Sequence, residues 1–190
     1  MIELLIDKLP NSCKINGLSY QIDTDFKTSL KFNELMENKD YTNEEKIEAA
    51  IKLYFGDSYI EDYNAAMEQI LMFYSLGKSL EEISKQEITS EAIFSYSEDS
   101  AYIYAAFYET YGINLRTTPL HWWEFRALFD SLPESCKFIK IIGYRTIKIT
   151  KHMSDEQKKF YREMKKLYKL KDNRGQEEKE IDFANALSNL

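Results

Sequence analysis

Cysteine, proline, glycine and histidine are all scarce in this chain of 190 residues, and each scarcity removes a class of protein. Its two cysteines, Cys13 and Cys136, stand far apart and without ligand spacing, so neither a disulfide framework nor a zinc cluster is expected. Each reads as a small buried side chain in a reduced compartment. His121 and His152 have no second His or Cys at metal-binding spacing, which argues against a metal centre. Six glycines scattered singly leave no phosphate-binding loop and no G-x-G-x-x-G fingerprint; no cofactor is expected. Long apolar runs are missing too. The opening MIELLIDKLP is broken by Asp7 and is too short for a signal peptide or membrane span, so a cytoplasmic protein that binds no membrane is expected.

Chemistry-bearing constellations are equally thin. Cys136 and His121 are the one nucleophile–base pair that can be named, and their spacing around a proline says nothing about geometry. Glu61 with Asp62, and Glu98 with Asp99, are adjacent, and adjacent helical residues do not face each other. They read as ordinary acids near helix starts. No enzyme is expected.

What the chain does have is ring. Fourteen Tyr, eleven Phe and two Trp make 14% of it aromatic, and 44% is hydrophobic, too much for a disordered chain. The net charge of −7 argues against nucleic-acid binding by the whole. That charge is uneven: between Lys151 and Arg174 nine Lys/Arg face four Asp/Glu, a local +5 that leaves −12 elsewhere. Such a strip is either a solvated face or one that meets an acidic partner or another copy.

Turn and cap signals predict a mainly α protein: a compact multi-helix domain over residues 1–171 with a small β-hairpin within about 1–23. A charged tail, 172–190, is able to become helical on a partner. Asn16-Gly17 between short apolar runs is the hairpin signal. Asp23 or Thr24 caps a helix towards Glu37. Thr42-x-x-Glu45 is a capping box for a helix ending at Gly56, and Asp57 or Ser58 opens the next, which ends before Gly77. Residues 78–92 read as a polar connector with a short helix. Ser97 or Ser100 starts a helix before Gly112, and Thr118-Pro119 places another at 119–131. Ser135 begins a short helix closed by Gly143, "RTIKI" is a brief strand or link, and Ser154-x-x-Gln157 launches a helix to about Leu170.

The 119–131 segment carries Trp122 and Trp123 side by side. Neighbours on a helix point about 100° apart, so one buried stripe cannot hide both. Either two surfaces cover this helix or one ring awaits a partner. Tyr104 and Tyr108 add rings on a second many-faced helix, and Arg126 pairs with Asp130 at i,i+4. The last helix has an apolar stripe of Phe160, Tyr161, Met164, Leu167 and Tyr168 beside Lys158, Arg162 and Lys165. Tyr104, Tyr108, Trp122, Trp123, Arg126, Lys158, Arg162 and Lys165 are therefore the candidate partner-binding residues, with self-association or a protein partner as the implied use. A large aromatic core is the other reading of the same rings.

The runs "TDFKTSLKFNEL", "EDSAYIYAAFYETYGINL", "LHWWEFRALFDSLPESCKFIKIIGYR" and "MSDEQKKFYREMKKLY", in this order, resemble the bacteriophage gene-product-fifteen family of long-tailed phages and prophages of Gram-positive bacteria. The resemblance implies a non-catalytic tail assembly chaperone. Such a protein binds the tape measure protein in the host cytoplasm, recruits the major tail protein, acts alone or with a smaller companion chaperone, and is absent from the mature virion. The alternative is a structural virion component, a tail-completion or connector protein.

Overall fold

The computed structural model describes residues 5–78 and 93–171. Among them are one two-stranded antiparallel sheet and seven helices, so the chain is mainly α with an N-terminal hairpin. The hairpin pairs β1 (Ser12–Ile15) with β2 (Leu18–Gln21) in the register Ile15 opposite Leu18. Its turn holds Asn16 at φ 49° and Gly17 at φ 84°, both left-handed, which is the conformation the Asn-Gly pair predicts.

The helices are α1 (Phe26–Glu37), α2 (Asn43–Phe55), α3 (Tyr63–Tyr74), α4 (Ser100–Tyr111), α5 (Trp122–Asp130), α6 (Lys137–Thr146) and α7 (Asp155–Leu167). Both expected capping boxes form, Thr42 with Glu45 and Ser154 with Gln157. Gly56 and Gly112 end α2 and α4 at positive φ. Four helices begin or end elsewhere than the sequence leads one to expect, besides α7, which stops at Leu167 rather than about Leu170. Asp25, not Asp23 or Thr24, caps α1, while Asp23 instead accepts from Asp25 N–H and from Thr28 Oγ1. Asp62, not Asp57 or Ser58, caps α3. Its carboxylate takes the Ala65 N–H at 2.9 Å and the Asn16 side-chain amide at 3.1 Å, tying the hairpin turn to the helix start. Those bonds, Ala65 first, hold its pKa below the ordinary aspartate value.

The third difference concerns the tryptophan helix, which starts at Trp122 rather than at Pro119. Residues 120 and 121 are held extended against the entrance of α1: Phe26 N–H donates to Leu120 O at 3.0 Å and Trp122 N–H to Thr24 O at 2.8 Å, around the bridge between Asp25 and His121. A segment whose amides and carbonyls are spent on another strand cannot wind early. His121 becomes the cap, its Nδ1 accepting the Trp123 N–H at 3.1 Å, and Glu124 reaches back to the His121 N–H. The fourth lies in α6, which begins at Lys137 and runs through Gly143 to Thr146, so "RT" of "RTIKI" is helical. The 78–92 helix (from residue 79 on) and the 172–190 tail fall outside the described residues.

The core is a ring stack built around α5. Phe125 is fully buried and stacks on Phe26 (centroids 4.8 Å apart), Phe107 (5.1 Å), Trp122 (5.7 Å) and Phe129 (5.8 Å). One residue thereby joins α1, α4 and α5, and offset stacks of this kind add about 0.5–1.5 kcal/mol each beyond area burial. Phe138 of α6 closes the far end against Phe129.

Gly143 is a mid-helix glycine with no positive φ, and a Cβ built on it meets nothing within 4 Å. Gly143→Ala should therefore raise stability by about 0.5–1 kcal/mol through the unfolded chain's lost freedom. Urea unfolding reads it, and a lower midpoint would mean that this turn is not helical in solution.

Candidate functional site

The two tryptophans are both enclosed, Trp122 at 0% and Trp123 at 8% exposure. Two different surfaces cover the helix, and in this structure neither ring awaits a partner. Both are spoken for by the end of α3. The indole Nε1–H of Trp122 donates to Tyr74 O at 2.8 Å, and that of Trp123 to Phe73 O at 2.9 Å, a carbonyl that also takes the Leu76 N–H at 3.2 Å. Trp122 also stacks on the Tyr74 ring at 5.1 Å. The α3 terminus is completed by Gly77 N–H to Met72 O at 2.8 Å, with Leu76 at φ 62° and Gly77 at φ 82°. His121 is fixed in turn: with Nδ1 accepting from Trp123, its Nε2–H donates to Pro10 O at 3.0 Å.

The other candidates, Arg126 excepted, lie apart from this pair. Tyr104 is half-buried and Tyr108 is 56% exposed, and their rings stack at 6.2 Å with planes 12° apart on the outer edge of α4. Arg126 lies over the Trp122 ring, 5.5 Å from its centroid, and reaches Asp130 at 3.5 Å. On α7, Arg162 is exposed and Lys158 pairs with Asp155 at 3.3 Å. Lys165 is engaged within the chain, donating to Arg145 O at 2.6 Å. No hydrogen bond, ion pair or ring contact among the described residues joins these three groups. They are separate patches.

Helix α7 is unusual because no residue in it is buried. Tyr161, Met164 and Tyr168 are half-buried, while Phe160 and Leu167 are 46% and 65% exposed. Spaced i,i+7, these two fall within about 20° of each other and form one outward apolar edge. Tyr144 holds the inner side through rings at 5.9 Å to both Phe160 and Tyr168. The attachment also runs through Arg145, which sequence reading passed over. Its guanidinium grips the buried Asp99 carboxylate at 2.7 and 2.8 Å, and its Nε–H donates to Tyr168 O at 2.6 Å. Asp99, taken from sequence as an ordinary helix-start acid, is 1% exposed. The available signal was a lone arginine in the otherwise apolar "IIGYRTI".

Among the described residues no group of three or more His, Cys, Asp or Glu is placed to hold a metal, and no helix is long and apolar enough to cross a membrane. The described chain is thus a mainly helical, aromatic-cored protein with an N-terminal hairpin and exposed apolar edges. It belongs to the Bacteriophage Gp15 protein family, whose profile matches residues 5–170. No curated protein and no solved structure matches it.

Two substitutions probe this architecture. Gly77→Ala should cost about 1–2 kcal/mol, because the residue sits at φ +82° and its Cβ would stand 3.3 Å from Trp123 Cη2. Arg145→Ala strands a buried carboxylate and should cost about 3–5 kcal/mol. Chemical unfolding measures both, and a loss under 1 kcal/mol for Arg145→Ala would show that Asp99 is solvated.

Proposed function

We propose that this chain is a non-catalytic tail assembly chaperone that binds the phage tape measure protein in the host cytoplasm and assists tail-tube assembly. Membership of the family supports the phage context. The observation that carries the chaperone reading is α7: a basic amphipathic helix, docked by one side, that keeps Phe160 and Leu167 turned outward. Glu163 stands beside this edge, one turn from both Phe160 and Leu167, with Lys159, Arg162 and Lys166 further round the helix; an apolar edge of this kind suits the apolar face of an amphipathic client helix. The Tyr104–Tyr108 stack offers a second contact of the kind enriched at interfaces, for the major tail protein, a smaller companion chaperone or another copy of the chain.

Co-expression tests the reading. The wild-type chain should keep the tape measure protein of the same phage in the soluble fraction. The double variant Phe160→Glu, Leu167→Glu should remain folded, since neither residue is buried, and should lose that effect with at least about tenfold weaker client binding, the worth of two apolar contacts. A wild-type chain that leaves the client in inclusion bodies sinks the proposal. So does mass spectrometry that finds the chain in purified virions, which would favour a tail-completion or connector protein.

A further inference from the structure

The N-terminal hairpin has an open edge. Across its two-residue turn Ile15 and Leu18 form a hydrogen-bonded pair, and alternate pairs follow: Cys13 with Tyr20, then Asn11 with Ile22, whose N–H reaches Asn11 O at 3.0 Å. Ser19 and Gln21 fall between these pairs, so their N–H and C=O groups point away from β1. Among the described residues no hydrogen bond reaches those groups. The two strands differ in how they are protected. β1 packs against α3, is tied to it through Asn16 and Asp62, and carries the exposed Lys14, a charge of the kind that keeps other strands off an edge. β2, Leu18-Ser19-Tyr20-Gln21, has no charge and no proline, and no bulge interrupts its register. Leu18 lies on the same face of the hairpin as Ile15 and Ile22. Those two are buried, yet Leu18 is 64% exposed. The turn end of β2 therefore overhangs the core and leaves an apolar side chain of the inner face uncovered.

What fits such an edge is another strand, added through main-chain hydrogen bonds. β2 itself has the features required. A chain of net charge −7 meets a copy of itself with least repulsion at an uncharged segment. When two β2 strands run antiparallel about a two-fold axis at Tyr20, every free group is used: Ser19 and Gln21 of each copy exchange N–H···O=C bonds with Gln21 and Ser19 of the other. The same register sets Leu18 opposite Ile22 of the second copy and extends the apolar row that starts at Ile15. Sliding the copies by two residues would instead set a free residue against the turn at Gly17, or against Asp23, whose N–H is taken by Tyr54 O. We infer that β2 pairs with β2 of a second copy, forming one four-stranded antiparallel sheet across the two chains. Lys14 then stands on both outer strands, so the assembly closes at two.

The inference does not rest on the tail-assembly reading, and either can fail alone. Sedimentation equilibrium of the full chain tests it. A contact this small should hold with a dissociation constant on the order of 100 μM. Gln21→Pro removes one outward N–H per chain and no hairpin bond, at the kind of edge position where proline is tolerated. It should weaken the dimer at least about tenfold, the loss of two hydrogen bonds. Leu18→Lys, at an exposed position, should weaken it too. In a mixture of labelled and unlabelled chains, an NOE should join the Tyr20 Hα protons of two copies, which the non-hydrogen-bonded pair brings together. A chain still monomeric at about 500 μM would overturn the inference and leave the edge for an extended segment of another protein. So would a dimer that keeps its affinity in both variants, or one without the Tyr20 contact.

Discussion

The end of α3 and the two indoles that meet it hold the rest in place. A helix terminus buried in a core leaves carbonyls that water cannot reach, and an unpaired buried carbonyl costs about 1–3 kcal/mol. Leu71 O is met by Ser75, Met72 O by Gly77, Phe73 O by Leu76 N–H and by Trp123, and Tyr74 O by Trp122. Consecutive carbonyls need consecutive donors, and a pair of adjacent tryptophans supplies them from a neighbouring helix with rings long enough to span the gap. The doublet is thus a capping device. It also sets where α5 lies, since Trp122 cannot turn without uncovering Tyr74 O, and Trp123 cannot turn without giving up its bond to Phe73 O.

Once α5 is pinned at that end, Phe125 falls in the middle of the molecule. Its ring meets Phe26, Phe107, Trp122 and Phe129 at stacking distances, so the helix entrance, the fourth helix and the tryptophan helix share one column of rings. Much of the aromatic content that looked surplus in sequence is consumed there. What remains outside among the described residues is smaller and dispersed: Tyr59 at 84% exposure, Tyr108 at 56%, Tyr41 at 48%, Phe160 at 46% and Tyr63 at 44%.

Features decided within a few residues were readable beforehand. The Asn16-Gly17 turn, the Thr42 and Ser154 capping boxes and the glycine ends at Gly56 and Gly112 depend on local backbone chemistry, and they stand where the sequence puts them. Features decided by distant strands were not. Pro119 can begin a helix, yet the bridge from 120–122 to the α1 entrance overrides it and moves the cap to His121. The tryptophans' acceptors lie 48 and 50 residues away, and the Asp99–Arg145 pair is separated by 46. Spacing along a chain carries no information about such contacts, so adjacency of two rings was as compatible with an exposed patch as with a cap. The candidate residues consequently split: the indoles went to the core, Lys165 to a backbone carbonyl, and Tyr108 and Arg162 to the surface.

The outward edge of α7 follows from how that helix is fastened. Arg145 must stay put, because releasing it would leave the Asp99 carboxylate buried and unpaired. The same arginine reaches Tyr168 O, just past the helix, while its own carbonyl receives Lys165 from the last turn. Lys171 N–H adds a bond to the Glu98 carboxylate, one residue from Asp99. All these attachments lie at the C-terminal end of α7 and are polar, so they orient the helix without requiring its apolar stripe to be covered. Tyr144 shields one flank of the stripe, and Phe160 and Leu167 are left on the other. A helix anchored by apolar burial would have hidden its stripe in order to stay attached; one anchored through a core ion pair keeps part of that stripe for another polypeptide.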